Sequence, residues 1–240
     1  MRTEVLNVGF DNITMDEAVA MGEKLLETEG ASYIVTPNPE IVWACREDAK
    51  LKETIEKADL VLPDGIGIVY GARILGRPLK EKIPGIDFIS GLFQRMAESG
   101  KTVFLLGAKP GIAQRAGAEL TAKYPGLTVC GVHDGYFKED GPVIEEINQA
   151  APDLLLVCLG APKQEYWMAA NRDKLQVKLM AGLGGSLDVF AGEVKRAPVF
   201  FQKLGLEWFH RLLKEPWRIK RMTKLPMFLC AVMGQRIKGK

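Results

Sequence analysis

The stretch LLLVCLGAPKQEYW at residues 154–167 contains the pattern that recurs along this 240-residue chain. Its first six residues are continuously apolar, as expected of a strand that is buried on both faces of a parallel sheet. Gly160 then ends the strand, and Pro162 suits the first turn of a helix because its missing N–H would have no helical partner there. The stretch therefore predicts a strand, a short turn and a helix in succession.

Similar apolar runs, bounded by turn residues, lie on both sides of this stretch, at 5–8, 33–35, 60–62, 103–106, 128–132 and 179–183. Between them are amphipathic segments of helical length, at 14–27, 39–58, 110–123 and 141–150. Thr14 and Glu17 have the spacing of a capping box, and Pro39 opens the second segment. The alternation predicts an α/β fold with a Rossmann-like, mostly parallel sheet flanked by helices, in which ligands bind beyond the carboxyl ends of the strands.

Composition and charge divide the chain into two unequal parts. Apolar residues make up 47% and charged residues 26% of the sequence, as in an ordinary globular protein. Residues 195–240 hold twelve Lys and Arg but two acids, whereas residues 1–194 hold twenty Lys and Arg and twenty-eight acids. We predict a body at 1–194 and a basic, amphipathic helical appendage at 195–240, and this asymmetry favours an anionic partner.

The appendage has the pattern of a segment that lies on a membrane surface. Arg211, Lys214, Arg218 and Arg221 recur at spacings of three and four, so they share one face of a helix. Trp, Leu, Met and Phe side chains supply apolar anchors. At about 1 kcal/mol for each cation near an anionic leaflet, four to six of them give roughly 4–6 kcal/mol. We expect reversible attachment to an anionic membrane and no nucleic-acid partner; a solvated face, or docking on a second subunit in a homo-oligomer, stays open.

Several kinds of site are not indicated by the sequence. Cys45, Cys130, Cys158 and Cys230 are far apart and form no CxxC pair, so neither a zinc site nor a disulfide framework is predicted. The two histidines are isolated, and no spacing of His, Asp and Glu suggests a metal. The N-terminus lacks the apolar core of a secretion signal, and no apolar run approaches the ~18 residues of a membrane span. We expect a cytoplasmic protein, peripheral on the inner face of the membrane, with neither metal nor cofactor.

Polar residues follow several predicted strands, where ligands are expected. Thr36 and Asn38 follow the run at 33–35 and could donate to a sugar or phosphate, or form a rigid capped turn. Asp64 is placed to act as a general base or as the N-cap of the next helix. Lys82, in a polar loop, could lie over a phosphate or be simply solvated.

Three further turns could bind a nucleotide. Gly107 begins a glycine turn that can cradle a diphosphate through backbone amides, although the spacing of a P-loop is missing. Gln164 can donate to a nucleotide oxygen or belong to a helix cap. Gly184 lies in GLGGSLD at 182–188, where the last glycine of a GxGxxG dinucleotide motif is absent. A backbone cradle is predicted there instead, with Asp188 available to a ribose or base.

These clusters, in this order, resemble the WecG/TagA/CpsF family of bacterial glycosyltransferases. The similarity spans nearly the whole chain, and the ordered set is specific although each piece alone is weak. The matching stretches are TPNPEIV at 36–42, ADLVLPDGIGIV at 58–69, KIPGIDF at 82–88, FLLGAKPG at 104–111, LGAPKQEYW at 159–167, GLGGSLDVFAGEVKRAP at 182–198 and LGLEWFHRLLKEPWR at 204–218.

The resemblance implies inverting transfer of N-acetylmannosamine, or a relative, from a UDP-sugar to N-acetylglucosamine on undecaprenyl diphosphate, in wall teichoic acid or exopolysaccharide synthesis. It implies that Asp64 is the general base and Thr36 a second active-site residue, with Asn38, Lys82 and Gln164 in the pocket. Lys82 stands where some relatives have arginine, so it keeps the charge but not the bidentate geometry.

The sequence alone leaves alternatives to this reaction open. The DxD doublet with which many sugar-nucleotide enzymes hold a metal is missing, so Lys82, the tail arginines and the turns at Gly107 and Gly184 would have to stabilise a departing diphosphate. The donor could be another hexosamine or N-acetylmannosaminuronic acid. The rival classes are a nucleotide-dependent oxidoreductase and a non-catalytic membrane adaptor that binds a nucleotide.

Overall fold

A computed structural model of the chain contains a six-stranded parallel sheet and a two-stranded antiparallel hairpin. It describes residues 2–214, 216, 219 and 223–238, and for Lys203 and Arg211 the backbone alone. The strands are β1 (Arg2–Val5), β2 (Val8–Asp11), β3 (Ser32–Val35), β4 (Leu60–Val61), β5 (Thr102–Gly107), β6 (Thr128–His133), β7 (Leu154–Cys158) and β8 (Leu179–Gly182). In the large sheet the order is β4-β3-β8-β7-β5-β6.

Helices cover both faces of the large sheet. They are α1 (Met15–Leu25), α2 (Pro39–Ala44), α3 (Ala49–Glu56), α4 (Ile66–Ile74), α5 (Gly85–Ser99), α6 (Ile112–Lys123), α7 (Asp140–Ala150), α8 (Lys163–Asn171), α9 (Ser186–Phe190), α10 (Val199–Lys203), α11 (Glu207–Lys214) and α12 (Lys224–Lys238). The α/β fold expected from the alternation of apolar runs is therefore confirmed.

Side chains of the central strands alternate between two apolar cores. In β5, Phe104 faces a core that includes Trp167 of α8, whereas Leu105 faces a core that includes Phe88 of α5. The strand is paired on both sides, with β6 and β7, and Val103 to Gly107 are buried. Burial on both faces explains why these strands read as continuous apolar runs.

Two of the predicted elements differ in the structure. The run at 5–8 is not one strand, because Leu6 and Asn7 turn the chain with φ of 50° and 63°. Val5 and Val8 are instead cross-strand partners in the hairpin of β1 and β2, and both are fully buried. A buried hairpin end and a short buried strand share one apolar pattern, so periodicity could not separate them.

The helix predicted at 39–58 is two helices. Helix α2 ends at Ala44, and Asp48 caps the start of α3, its Oδ1 accepting from the N–H of Leu51 at 3.0 Å. The capping box of α1 is confirmed, with Thr14 and Glu17 bonded reciprocally. Helix α5 lies outside the segments predicted to be helical, although it is amphipathic and well buried.

The basic tail contains helices, as predicted, and its last helix packs on the body. Phe228 and Val232 of α12 are fully buried and belong to the same core as Trp167. A Cβ at Gly71 of α4 would meet the Phe228 ring at 3.1 Å, so the two helices are in close contact. The division of the chain at residue 194 stays a prediction.

Candidate active site

The topology brings the ends of three neighbouring strands to one edge of the sheet. Strand β3 lies between β4 and β8, and all three are parallel. Thr36 follows β3, Asp64 lies shortly after β4, and Gly184 lies just after β8. These residues are far apart in sequence but share the edge at which open α/β sheets bind ligands.

Backbone hydrogen bonds hold the turn that carries Asp64. The Asp64 N–H donates to the carbonyl of Pro37 at 3.3 Å, and the Ile83 N–H donates to Pro63 at 2.9 Å. The side chain of Asp64 is partly buried. Gly65, with φ of 93°, is the N-cap residue of α4 and forms no side-chain cap bond. Gly65 rather than Asp64 is therefore the N-cap residue of this helix.

Thr36 is buried between β8 and the start of α5. Its Oγ1 donates to the carbonyl of Gly182 at 3.4 Å, and the residue is 8% exposed. A Cβ at Gly85 would lie 3.2 Å from Thr36 Oγ1 and 2.6 Å from the side chain of Leu183. The glycine is therefore explained by the close approach of these residues. The N-terminus of a 15-residue helix thus lies beside Thr36, and its dipole favours negative charge. The sequence predicted a polar loop at this position, where α5 in fact begins.

Asn38 is the N-cap of α2. Its Oδ1 accepts from the N–H groups of Glu40 and Ile41, each at 3.0 Å. The capped-turn alternative is therefore confirmed for this oxygen. A substrate contact by Asn38 stays a prediction.

Gln164 lies beneath the turn that follows β8. Its Oε1 accepts from the N–H of Gly184 at 2.8 Å, and its Nε2 donates to Glu165 Oε1 at 3.0 Å. Gln164 is 3% exposed. Its amide thus supports the Gly184 turn, whereas the predicted bond to a nucleotide is not tested.

Glu165 is a buried acid that was not predicted as a site residue. It is 1% exposed, and its Oε2 has no hydrogen-bond partner among the described residues. Burial raises the pKa of its carboxyl, and the bond from Gln164 acts in the opposite direction. A lone acid after Gln164 in a helix's first turn gave no sequence signal of burial.

Lys82 is part of an ion-pair network at the junction of body and tail. Its Nζ lies 3.4 Å from Glu207 Oε2 on α11. Arg196 pairs with Glu207 at 3.1 Å and with Asp87 at 2.5 Å. Lys82 and Glu207 are both about one-fifth exposed, so Lys82 is not the freely solvated lysine of the alternative interpretation. The sequence signal for this network was that Glu207 is one of two acids in the tail.

Gly107 and Gly184 differ in the space that is available for a side chain. Gly107 has φ of 132°, and a Cβ there would lie 2.3 Å from the carbonyl oxygen of Cys158. Packing of β5 against β7 therefore requires this glycine. Gly184 has φ of 52°, and a Cβ there would meet no atom of the described part of the chain within 4 Å. A binding role for either glycine stays a prediction.

The remaining predicted site residues are Asp188 and three arginines of the tail, which the structure describes only in part. Asp188 is partly buried on α9, and its backbone carbonyl accepts from Val194 at 3.0 Å. Arg211 lies on α11, one turn after Glu207, and its side chain is not described. Arg218 and Arg221 lie outside the described residues.

Within the described ranges, no group of three or more His, Cys, Asp and Glu side chains is arranged to hold a metal ion. In the same ranges, every helix is too short or too polar to cross a bilayer.

Comparison with known proteins gives one consistent result. The sequence model of the "Glycosyl transferase WecG/TagA/CpsF family" matches residues 3–240. Three similar proteins carry the name N-acetylglucosaminyldiphosphoundecaprenol N-acetyl-beta-D-mannosaminyltransferase. The one from Bacillus spizizenii is 36% identical over 208 residues, which are 87% of this chain and 81% of that protein. The one from Bacillus subtilis is 34% identical over 237 residues, 98% and 93% of the two chains. The one from Staphylococcus aureus MRSA252 is 36% identical over 243 residues, 100% and 95%.

Proposed function

The chain belongs to the WecG/TagA/CpsF family of glycosyltransferases, and from this premise we propose that it transfers N-acetylmannosamine from UDP-N-acetylmannosamine to N-acetylglucosamine on undecaprenyl diphosphate. The name shared by its relatives supports both the sugar and the acceptor. The product would be the start of the linkage unit of wall teichoic acid, a polymer of the bacterial cell wall.

The proposal depends on the position of Asp64 and Thr36 at the ends of two adjacent strands, β4 and β3. In a single displacement, Asp64 accepts the proton of the acceptor hydroxyl. The bond from that oxygen to the anomeric carbon forms as the bond from this carbon to UDP breaks, with inversion. A positioned base of this kind contributes about 10²- to 10⁴-fold. Thr36, buried beside the start of α5, would orient the sugar.

We assign the stabilisation of the departing UDP to protein groups rather than to a metal, because the sequence lacks a DxD doublet. Lys82 precedes Ile83, whose N–H is bonded to the turn that carries Asp64. The N-terminus of α5 adds a positive partial charge at the same edge of the sheet. Arg211, Arg218 and Arg221 of the tail would complete the set of cations.

The other predicted site residues would hold the donor. Gly107 and Gly184 lie at turns that can approach a diphosphate through backbone N–H groups other than that of Gly184, which donates to Gln164. Asn38 and Gln164 would contact the sugar and the nucleotide, and Asp188 the ribose or base. The support is positional, since each follows the carboxyl end of a strand of the same parallel sheet.

We propose that residues 195–240 attach the enzyme to the inner face of the membrane, where its lipid-linked acceptor is held. Large apolar side chains are exposed along α10 and α11, including Val199, Phe200, Leu204 and Leu213, which are 50–67% exposed. Together with the basic charge of this segment, they are suited to an anionic lipid surface. The same surface could pair two copies in solution, which analytical ultracentrifugation with and without vesicles would reveal.

A donor panel tests the proposal directly. The full chain is incubated with a polyprenyl-diphosphate-N-acetylglucosamine analogue and, separately, UDP-N-acetylmannosamine, its uronic acid or UDP-N-acetylglucosamine, with and without EDTA. We expect UDP release and a disaccharide product with UDP-N-acetylmannosamine in both conditions. Preference for another donor would reassign the sugar, and loss of transfer in EDTA would contradict the metal-independent mechanism.

A further inference from the structure

Hydrogen bonds hold the turn after β8 from two sides, and those on one side lead to a buried acid. Thr36 Oγ1 donates to Gly182, two residues before Gly184. The Gly184 N–H donates to Gln164 Oε1, and Gln164 Nε2 donates to Glu165 Oε1. The turn after β8 is therefore held from one side by Thr36 and from the other by Gln164.

The orientation of the Gln164 amide depends on Glu165. The oxygen and nitrogen of an amide have nearly the same shape, so hydrogen bonding alone decides which way the group faces. In the observed orientation, the amide oxygen meets the Gly184 N–H, and the amide nitrogen meets an acceptor oxygen of Glu165. The flipped amide would set two donors against each other at Gly184. An acceptor at position 165 thus favours the same orientation as the Gly184 N–H, the one that holds the turn.

Burial makes Glu165 a poor choice for packing alone. The residue is 1% exposed, and its Oε2 has no hydrogen-bond partner among the described residues. An uncompensated buried carboxyl oxygen opposes folding, whereas an apolar side chain of similar volume would not. Such local conflicts are expected where a residue serves function.

The turn that Glu165 controls is open to a ligand. Gly184 has φ of 52°, and no atom of the described residues lies within 4 Å of where its Cβ would be. Gly182, by contrast, is tightly packed, with Met168 2.6 Å from the position of a Cβ. One side of the turn is therefore fixed in the core, and the other can meet a substrate.

We infer that Glu165 is a positioning residue of the glycosyl-transfer site, which orients the Gln164 amide so that the Gly184 turn is fixed for binding the diphosphate of the donor. This inference rests on the proposed function. Because Glu165 acts through Gln164, its loss should change donor binding.

The test compares E165M and E165Q with the wild-type chain. Methionine keeps the volume but lacks the acceptor, whereas the carbonyl of glutamine can still accept from Gln164. We expect E165M to raise the KM for the UDP-sugar more than it lowers kcat, with kcat/KM falling about 10- to 100-fold, as a misplaced binding group does. E165Q should restore kcat/KM to within about threefold of wild type, because the selecting hydrogen bond is kept. E165L provides the same test if E165M does not fold.

N171L is the matched control, since Asn171 is another buried polar residue of α8, 1% exposed and bonded to the carbonyl of Trp167. It should lower the melting temperature and leave the KM for the donor unchanged. Equal kcat/KM for E165M and wild type, or no recovery in E165Q, would overturn the positioning role alone. A wild-type chain that transfers no sugar from any UDP-sugar would overturn the proposed function, and this inference with it.

Discussion

Lys82 Nζ lies 3.4 Å from Glu207 Oε2, so an ion pair joins the loop before α5 to the first residue of α11. Glu207 also accepts from Arg196, which in turn binds Asp87 in the first turn of α5. The cation that we assign to the departing diphosphate is therefore already held by the tail. A phosphate that binds Lys82 would compete with Glu207 for this ammonium group.

The charge of Lys82 should matter more than its exact shape. We expect K82Q to lower kcat/KM for the UDP-sugar about 10- to 100-fold, since a hydrogen bond to a charged group is worth about 1.5–3 kcal/mol. K82R should retain most of the activity. Steady-state kinetics measures both, and K80Q is the control, because Lys80 is about half exposed and pairs with Glu17 instead. Equal activity of K82Q and K80Q would remove Lys82 from the site.

Asp64 should be needed for chemistry and dispensable for binding. We expect D64N to lower kcat by about 10²- to 10⁴-fold, as for loss of a general base. The dissociation constant for UDP, measured by calorimetry, should change little because an amide keeps the shape of the side chain. D16N changes an exposed aspartate of α1 and should behave as wild type. Near-normal turnover of D64N would exclude the base role.

Gly107 should tolerate no side chain for structural reasons. In G107A the methyl group would lie 2.3 Å from the Cys158 carbonyl oxygen, and φ of 132° is strained for alanine. Backbone strain and overpacking each cost about 1–3 kcal/mol. We therefore expect the free energy of unfolding of G107A, measured in urea, to be at least ~2 kcal/mol lower than that of wild type. G141A, in α7 with open space around it, should be neutral or slightly stabilising. Similar urea midpoints of unfolding for G107A and G141A would contradict the observed packing.

Glu165 should make stability depend on pH. Because burial raises the pKa of its carboxyl above the usual 4.5, the folded chain keeps a proton that the unfolded chain releases. Its favourable contribution is complete below the unfolded pKa and is lost as pH rises towards the folded pKa. The free energy of unfolding of E165Q minus that of wild type should therefore increase as pH is raised from 5 to 8.

Urea titrations of E165Q at several pH values test this sign. E53Q is a control with an opposite shift, because Lys57 lowers the pKa of Glu53, so the contribution of this carboxylate to stability is kept as pH rises. The stability difference between E53Q and wild type should be flat from pH 5 to pH 8. A flat difference for E165Q as well would show that the buried carboxyl does not titrate differently in the folded state.

The sequence predicted what depends on local pattern. Strands β5 and β7 were recognisable because burial on both faces makes every residue apolar, and α1 because its capping box is local. Asp64 and Thr36 were found because both follow such strands. What depends on distant contacts was missed: Glu165 is buried by neighbours from other elements, and the approach of α5 to Thr36 requires Gly85 to meet Leu183. The spacing of residues along the sequence does not reveal such contacts between distant elements.

Residues 195–240 cannot simply be deleted to test membrane attachment. Phe228 and Val232 are fully buried in the body's core, and losing a buried Phe alone costs about 3–5 kcal/mol. Deletion of 195–240 should therefore lower the melting temperature strongly, and any loss of vesicle binding would mix unfolding with lost anchors.

Substitution of exposed anchors separates the two effects. Phe200 and Leu213 are 67% and 61% exposed, so F200S/L213S should leave the melting temperature almost unchanged. Burying each side chain in lipid is worth about 1.5–3 kcal/mol, and we expect sedimentation with phosphatidylglycerol vesicles to weaken at least about tenfold. Y136S removes an equally exposed aromatic ring from the body, 68% exposed after β6, and should sediment as wild type does. If F200S/L213S binds vesicles as tightly as Y136S, these side chains are not membrane anchors, and the exposed face of α10 and α11 serves contacts between copies instead.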